Sequence, residues 1–373
     1  SDAAVSVCKR VEISGSPMLW GVRAGSRWPQ LQHRAAPGKL PRYVPFPFFL
    51  AIAAAIARNA GHQVLLLDAV AENINFETAS EKILSFSPDL LFAEVSTPSL
   101  SEDMRMLRAL KKALPKTKFA CGGSHSPSFA AESMRHDSFP DFWLAGEYEN
   151  SLSALAAAIE KGGDISKIPG AIKAGGNFTG FASVGDFDLL PSPLWDSLPM
   201  SAYSDPVCGL PAVNGQSWLS RGCPFKCSFC VWPQIVYGSH EHRNRDIDIA
   251  LDEVETLVKL YGCESFYFDD DTTNLGESRM AKLAEGIKER KLDIWPWAMM
   301  ARADCMSNSM LENFASAGIY AVKYGVESFS PKLIDACGKA TRLEKLHAAI
   351  EKTRSLKIKM HLTFTFGLPG ETE

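Results

Sequence analysis

The sequence predicts an α/β protein made of two parallel-sheet domains in series. Short apolar runs alternate with amphipathic segments of helical length along most of its 373 residues. A stretch at 186–211 with five prolines interrupts this alternation, which restarts beyond it. We therefore expect a Rossmann-like first domain over 1–165, a hairpin and proline-rich linker over 166–214, and a second domain over 215–373.

Composition excludes several classes of protein. Hydrophobic residues make up 46% and charged residues 22%, as in ordinary globular proteins. A net charge of −4 argues against a general nucleic-acid binder. The longest apolar run, 48–57, is shorter than the ~20 residues of a membrane helix, so no membrane span is expected. Nine cysteines, an odd number, without a secretory leader favour the reducing cytoplasm over a disulfide framework.

The first domain shows helices and strands in regular alternation. A basic and aromatic loop at 23–42 follows its first strand, and Gly61 stands where the first helix needs a C-cap. Ligands of such parallel sheets bind at the carboxyl ends of the strands. We predict strands at 17–22, 62–67, 89–95, 118–121 and 142–145, and helices at 48–59, 77–86, 102–114, 128–134 and 150–161.

The second domain repeats a strand–helix unit five times, which predicts an open or partial α/β barrel. The sequence ends at 367–373, directly after a strand-like run, and we expect the C-terminal part of this domain to be missing. We predict strands at 217–220, 264–268, 294–300, 320–326 and 359–366, and helices at 247–261, 278–290, 309–317, 331–337 and 343–356.

Three cysteines stand close together in the stretch SRGCPFKCSFC, residues 220–230. Cys223, Cys227 and Cys230 have the spacing C-x3-C-x2-C, on a loop between a strand and a helix. Three thiolates at this spacing can ligate three irons of a cubane iron–sulfur cluster, which usually takes four cysteines. The remaining iron would then be open to a substrate or cofactor.

A structural zinc site is the alternative for the same cysteines. It needs a fourth ligand, and His240, His242 or Cys263 is available in the sequence. Structural zinc motifs usually combine C-x2-C with a second, distant pair of ligands, and the sequence has no such pair.

The cysteine spacing, with Phe229 before the last cysteine, resembles the C-x3-C-x-aromatic-C signature of the radical S-adenosylmethionine (radical SAM) superfamily. The resemblance implies that Cys223, Cys227 and Cys230 hold a 4Fe-4S cluster and have direct chemical roles. It also implies that S-adenosylmethionine chelates the open iron and is cleaved to a 5′-deoxyadenosyl radical. The family's barrel has six strand–helix units, so the last unit would be missing.

The resemblance also implies S-adenosylmethionine contacts at the other strand ends. The aspartates 269–271 stand where the family binds the amino group, and Glu327 where it contacts the ribose. Arg302 would pair with the carboxylate, or alternatively with Asp304. The triplet has an alternative as a solvated turn, and Phe229 as a residue that excludes water. The candidates are Phe229, Asp269, Asp270, Asp271, Arg302, Glu327, Ser328 and Gly367.

The first domain resembles the cobalamin-binding domain that precedes many radical SAM domains. The matching stretches are AGHQVLLLDA at 60–69, STPSL at 96–100, GGSHSPSF at 122–129 and AGEYENSL at 145–152. The motif D-x-H-x-x-G does not occur, which implies a lower cobalamin face without a histidine ligand. Each glycine is alternatively an ordinary turn glycine. The candidate cobalamin contacts are Ser96, Ser99, Gly122, Gly123, Gly146 and Glu147.

Together the two resemblances predict a cobalamin-dependent radical SAM methyltransferase that acts on a carbon or phosphorus centre of a small molecule. A reductant of the flavodoxin or ferredoxin type would supply the electron. A radical SAM enzyme of the anaerobic porphyrin cyclase type is the first alternative. The second alternative is a zinc-stabilised binding module without turnover.

Overall fold

The structure, a computed structural model, describes residues 44–372 and, before them, the backbone of three short strands. These are β1 (Val11–Glu12), β2 (Met18–Gly21) and β3 (Gln30–His33), which pair in antiparallel order. The strand predicted at 17–22 is therefore present as β2, in a three-stranded sheet that is separate from the other sheets. Apart from β3, the basic loop predicted at 23–42 lies outside the described residues.

The chain divides into two compact units. The first unit comprises Ser1–Ala202 with Gln234–Gly238, and the second comprises Tyr203–Pro233 with Ser239–Glu373. Among the described residues, no helix is long and apolar enough to cross a membrane.

The first unit is built on a four-stranded sheet of order β4-β5-β6-β7, in which β7 alone runs antiparallel to its neighbour. All five predicted helices are confirmed to within two residues. The strands are β4 (Leu90–Val95), β5 (Lys118–Gly123), β6 (Phe142–Leu144) and β7 (Ala171–Lys173). The helices are α1 (Phe48–Asn59), α2 (Phe76–Phe86), α3 (Leu100–Ala113), α4 (Pro127–His136) and α5 (Glu149–Lys161).

The strand predicted at 62–67 is wrong. These residues belong to none of the sheets in the described chain, although Leu66 and Leu67 are buried. Leu67 packs into the core with Leu91 and Phe119. An apolar run indicates that its side chains are buried. Here the segment buries them without pairing with a strand of the described chain.

The second unit contains a five-stranded parallel sheet of order β8-β11-β12-β13-β14, which confirms the predicted succession of strand–helix units. The strand predicted at 217–220 is wrong in its bounds, since the first strand of this sheet ends at Ser217. Its strands, with the two of a separate antiparallel ribbon, are β8 (Asn214–Ser217), β9 (Ser220–Arg221), β10 (Arg243–Asn244), β11 (Ser265–Phe268), β12 (Trp297–Ala301), β13 (Ile319–Glu327) and β14 (Lys359–Phe364). Its helices are α6 (Ile247–Lys259), α7 (Glu277–Glu289), α8 (Asn308–Ser316), α9 (Pro331–Ala336) and α10 (Leu343–Ser355).

The two faces of this sheet differ in character. On the helix-covered face, Trp297 stacks on Phe266 and meets Phe314 of α8 edge-on. Because side chains alternate along a strand, Met300 and Lys323, which are paired in register, belong to the opposite face. By the same alternation, the candidates Asp269, Arg302 and Glu327 at the strand ends belong to the face of Met300 and Lys323.

Candidate functional site

The three cysteines lie on the loop between β9 and β10, which pair as an antiparallel ribbon. The loop predicted between a strand and a helix thus begins and ends in this ribbon, and α6 follows it. The three cysteines form no disulfide with one another, and Cys227 is buried while the other two are half-buried. The Cys230 amide donates to the Cys227 carbonyl at 3.1 Å, and the Ser228 amide donates to the Cys337 carbonyl at 2.8 Å. The C-terminal end of α9 therefore holds the middle of the cysteine loop.

Two of the three predicted aspartates fix the beginning of the cysteine loop. Asp270 is fully buried and accepts hydrogen bonds from the Leu219 amide, at 3.0 Å, and from the Ser220 hydroxyl. Asp271 accepts one from the Gly222 amide at 2.9 Å. Both carboxylates thus hold the backbone at the beginning of the cysteine loop in place, and their predicted contacts with S-adenosylmethionine are a separate matter.

The backbone conformation and surroundings of Gly222 explain why the loop begins with a glycine. Its φ is +84°, and a Cβ at this position would lie 1.9 Å from the backbone oxygen of Glu241. A larger residue would therefore force the approach to Cys223 away from its observed course.

Burial and the charges of neighbouring groups shift the pKa values of two of the thiols. Burial raises the pKa of Cys230 to about 12, and the charges of Asp271, Cys223 and Cys227 act in the same direction. Burial also raises the pKa of Cys227, against the lowering effect of Lys339 and Arg302. Thiols with a raised pKa still become thiolates when a metal replaces their protons.

The three thiols can each ligate a different iron of a cubane cluster. Over the part of the chain that the structure describes, no three His, Cys, Asp or Glu residues are arranged to hold one metal ion. A cubane engages each cysteine through a different iron, so its ligands stand further apart than those of one ion. Three thiols on one loop therefore suit three irons of a 4Fe-4S cluster.

The three residues offered as a fourth zinc ligand differ in their position relative to the cysteine loop. The ring Nδ1 of His240 lies 2.9 Å from the Phe225 carbonyl oxygen. Cys263 is buried beside Gly215 of β8, in contact with α6 rather than with the cysteine loop. The third, His242, is half-buried, and burial lowers its pKa.

Arg302, predicted to bind a carboxylate, pairs with Asp304 in the structure. Its Nε and Nη2 atoms donate to the two carboxylate oxygens at 3.0 and 2.8 Å. The pair with Asp304 is therefore present in the structure, and the contact with the carboxylate of S-adenosylmethionine stays a prediction.

Glu327 and Ser328 also have partners within the chain. Lys339 donates to Glu327 Oε1 at 3.0 Å, and Thr365 donates to Oε2 at 2.6 Å. The Ser328 hydroxyl accepts from the Ser330 amide at 3.1 Å. Lys339 carries no motif, and sequence reasoning therefore missed it.

The remaining candidates in the second unit differ in accessibility. Asp269 is buried, and its amide donates to the Ser217 carbonyl at 2.9 Å. Phe229 is 40% exposed and stands between two of the cysteines. Gly367 has φ +82° with open space around the position of a Cβ. Phe229 and Gly367 therefore remain open to a ligand.

In the first unit, hydroxyl groups gather at the carboxyl ends of β4 and β5. The hydroxyl oxygens of Ser96 and Ser99 are 2.9 Å apart, and both residues are buried. The hydroxyl oxygen of Thr97 lies 3.1 Å from Nδ1 of the buried His125, and burial lowers the pKa of this histidine. Hydroxyl groups of this kind suit the amide and phosphate groups of a nucleotide-bearing cofactor.

The glycines predicted to face cobalamin are explained by packing within the unit itself. A Cβ at Gly122 would lie 2.8 Å from the Leu144 carbonyl oxygen, and one at Gly123 would lie 2.6 Å from that of Val95. At Gly146 the same construction meets the Ala182 carbonyl oxygen at 2.4 Å.

Within the first unit, Glu147 binds the segment that follows Ala182. Its carboxylate accepts hydrogen bonds from the Ser183 hydroxyl at 3.2 Å and from the Val184 amide at 3.1 Å. Ser96, Ser99 and Glu147 stay predicted polar contacts of cobalamin at this edge of the sheet.

Two family models match the chain in succession. The model described as "B12 binding domain" matches residues 41–156, and the model described as "Radical SAM superfamily" matches residues 219–373. The matched segments lie within the two ranges where the sequence predicted these domains.

Two curated relatives cover most of the chain. An uncharacterised methyltransferase of Pyrococcus horikoshii is 27% identical over 330 residues, or 87% of this chain and 70% of that protein. The anaerobic magnesium-protoporphyrin IX monomethyl ester cyclase of Rubrivivax gelatinosus is 25% identical over 338 residues, or 87% of this chain and 60% of the cyclase. The chain thus spans 60 to 70% of the length of these two relatives.

Of the solved structures that match the whole chain, one serves for comparison. It is the radical S-adenosylmethionine methyltransferase TsrM of Kitasatospora setae with cobalamin and a [4Fe-4S] cluster bound. The TM-score is 0.68 at 18% identity, and the match covers 100% of this chain and 68% of that one. At this identity the likeness establishes a shared fold.

Proposed function

Since the chain belongs to the radical SAM superfamily and carries a B12-binding domain, we propose that it is a cobalamin-dependent methyltransferase. The observation that carries this proposal is the loop with Cys223, Cys227 and Cys230, braced by buried aspartates, in a chain that also has the B12-binding domain. The acceptor is a carbon or phosphorus centre of a small-molecule substrate.

The cysteines hold a 4Fe-4S cluster, which when bound supplies the electron that cleaves S-adenosylmethionine. The chain's own residues position the cluster and shield it from water. Asp270 and Asp271 fix the entry to the loop, while Ser228, bonded to the Cys337 carbonyl, fixes its middle. A rigid loop of this kind keeps three thiolates in place and leaves the fourth iron for S-adenosylmethionine.

We assign the S-adenosylmethionine contacts to residues that remain accessible or lie beside the loop. Phe229 and Gly367 are open to an adenine ring, and Asp269 is suited to the amino group as a carboxylate acceptor. Glu327 and Ser328 belong to the ribose position, where Glu327 would share its oxygens with Lys339 and Thr365.

We assign cobalamin to the carboxyl edge of the first unit's sheet, with Ser96 and Ser99 as polar contacts and Gly122, Gly123, Gly146 and Glu147 shaping the edge. Cobalamin, when bound, serves as the methyl carrier. Parallel sheets bind their ligands at this edge, which supports the assignment.

The compartment and the electron donor follow from the chemistry of the cluster. Iron-bound thiolates persist in a reducing environment, so we place the enzyme in the cytoplasm. A one-electron donor of the flavodoxin or ferredoxin type then reduces the cluster, because these carriers operate at sufficiently low potential.

Cys227→Ala tests the cluster assignment. Anaerobically reconstituted wild-type chain should hold about four irons and four sulfides, the content of one cubane, and should cleave S-adenosylmethionine. The variant should lose both properties while the first unit stays folded. Cys263→Ala is the matched control, since it removes another buried thiol outside the loop. Wild-type protein with one zinc and no iron would overturn the proposal.

A cyclase of the porphyrin type is the second candidate, favoured by the 25% identity to the Rubrivivax gelatinosus enzyme. S-Adenosylmethionine carrying a labelled methyl group separates the two. Label in the product supports methyl transfer, and an oxidised or cyclised product without label supports the alternative.

A further inference from the structure

Arg302 contacts the cysteine loop in addition to Asp304. It follows β12 directly, is 6% exposed, and has its backbone clamped by Asn274 on both sides. The Asn274 side chain accepts from the Arg302 amide at 2.9 Å and donates to the Arg302 carbonyl at 2.8 Å. This reciprocal pair sets the direction in which the arginine side chain leaves the strand.

The guanidinium is held as firmly as the backbone. In addition to the two bonds to Asp304, Nη2 lies 3.1 Å from the Lys339 carbonyl oxygen and 3.1 Å from the Thr341 hydroxyl. A planar group with this many partners has little freedom to turn. Its remaining terminal nitrogen, Nη1, is therefore directed by the protein.

Nη1 points at a cysteine of the loop. It lies 4.0 Å from Sγ of Cys227, within reach of a weak N–H···S hydrogen bond. The carbon at the centre of the same guanidinium lies 3.5 Å from the centroid of the Phe225 ring. Phe225 stands between Cys223 and Cys227 in the sequence, so Arg302 contacts the loop through a ring face and a sulfur at once.

We propose that Arg302 is a positioning residue that stacks on Phe225, donates to the Cys227 sulfur, and so makes the bound cluster easier to reduce. The inference rests on the proposed function for the presence of the cluster. Reduction adds one negative charge to the cluster, and a buried cation with an N–H directed at a ligating sulfur stabilises that charge. The reduction potential is therefore higher than it would be without Arg302.

The guanidinium of Arg302 keeps its positive charge at this position. Burial lowers the pKa of Arg302, but its hydrogen bond and charge interaction with Asp304 outweigh this and leave the pKa raised. Arg302 thus stays a cation while it faces the sulfur.

The test is the midpoint potential of the reconstituted cluster, followed by electron paramagnetic resonance in an anaerobic reductive titration. Arg302→Gln should shift the potential to a more negative value at unchanged iron content. Arg302→Lys should shift it in the same direction by less, because it keeps the charge and loses the planar fork. Arg290→Gln is the control, since Arg290 pairs with Asp248 and Asp252 on α6, and it should leave the potential unchanged.

The possible results separate the two proposals. If the wild-type chain holds no iron–sulfur cluster, the proposed function fails and this inference fails with it. If the wild-type chain holds the cluster and Arg302→Gln has the wild-type potential, this inference alone is overturned. Where Arg302→Gln does not fold, Arg302→Lys decides, and a potential equal to that of the wild type would overturn the inference.

Discussion

The ammonium of Lys339 donates a hydrogen bond of 3.0 Å to Oε1 of Glu327, and both residues are less than a tenth exposed. Glu327 adopts φ +67°, which is unusual for a residue with a side chain. Its other oxygen accepts from Thr365 at 2.6 Å. The carboxylate predicted to contact ribose is therefore also half of a buried ion pair that joins β13 to the segment after α9.

Glu327→Ala should destabilise the second unit by about 3–5 kcal/mol, because it leaves the Lys339 charge buried without its partner. The double variant Glu327→Gln with Lys339→Met should recover most of this loss, since it removes both charges together. Urea denaturation followed by circular dichroism measures the difference in the free energy of unfolding.

The same variants test the ribose contact. A Glu327→Ala protein with wild-type stability and weakened S-adenosylmethionine binding would show that the residue acts on the ligand rather than on the fold. Loss of stability with unchanged affinity would refute the ribose role instead.

Asp270→Ala should reduce the iron content of the reconstituted chain. The carboxylate holds the Leu219 amide and the Ser220 hydroxyl, and hydrogen bonds to a charged group are worth about 1.5–3 kcal/mol each. Without them the entry to the cysteine loop loses its anchor. Asp252→Ala is the control, because this exposed residue pairs with Arg290 between helices. Wild-type iron content in Asp270→Ala would contradict the bracing role.

The repeating architecture could be predicted from the sequence because its signals are local. Helix α1 follows from an alanine-rich run with a glycine behind it, and the parallel sheets follow from alternation of strands and helices. The failure at 62–67 has a physical reason. An apolar run shows that side chains are buried, but whether the backbone also pairs with a strand depends on residues distant in the sequence.

The site was predictable to the same extent. The spacing of Cys223, Cys227 and Cys230 is local and could be recognised directly. Arg302 and Asp304 are two residues apart, so the sequence could offer this pair as one of two alternatives. Lys339 lies twelve residues beyond Glu327 and is brought to it by tertiary packing, so the sequence did not show this pair. Roles toward the cofactors remain predictions for all of these residues.

Gly146→Ala tests the packing role of this glycine in the first unit. Gly146 has φ +92°, and the new Cβ would lie 2.4 Å from the Ala182 carbonyl oxygen. Gly175 is the control, because it has φ +78° with open space around the same position. Both substitutions carry the strain of a positive φ, while the clash at 146 should add about 1–3 kcal/mol. Denaturation curves of the two variants measure this difference, and equal losses would contradict it.

His125 should make the first unit sensitive to acid. Burial lowers the pKa of this histidine below its ordinary value of 6.5, so the folded state binds its proton later than the unfolded state does. Stability contributed by the neutral ring is complete above pH 6.5 and is lost as the pH falls toward the folded-state pKa. The slope for one proton cannot exceed about 1.4 kcal/mol per pH unit.

His125→Gln removes this dependence and should gain stability relative to the wild-type chain as the pH falls from 7.5 to 5.5. His136→Gln is the matched control, since His136 is exposed in the last turn of α4. Urea denaturation at each pH gives the free energy of unfolding for the three proteins. A difference between His125→Gln and wild type that stays constant across this range would show that the ring is protonated equally in both states, and that its bond to Thr97 does not depend on the neutral form.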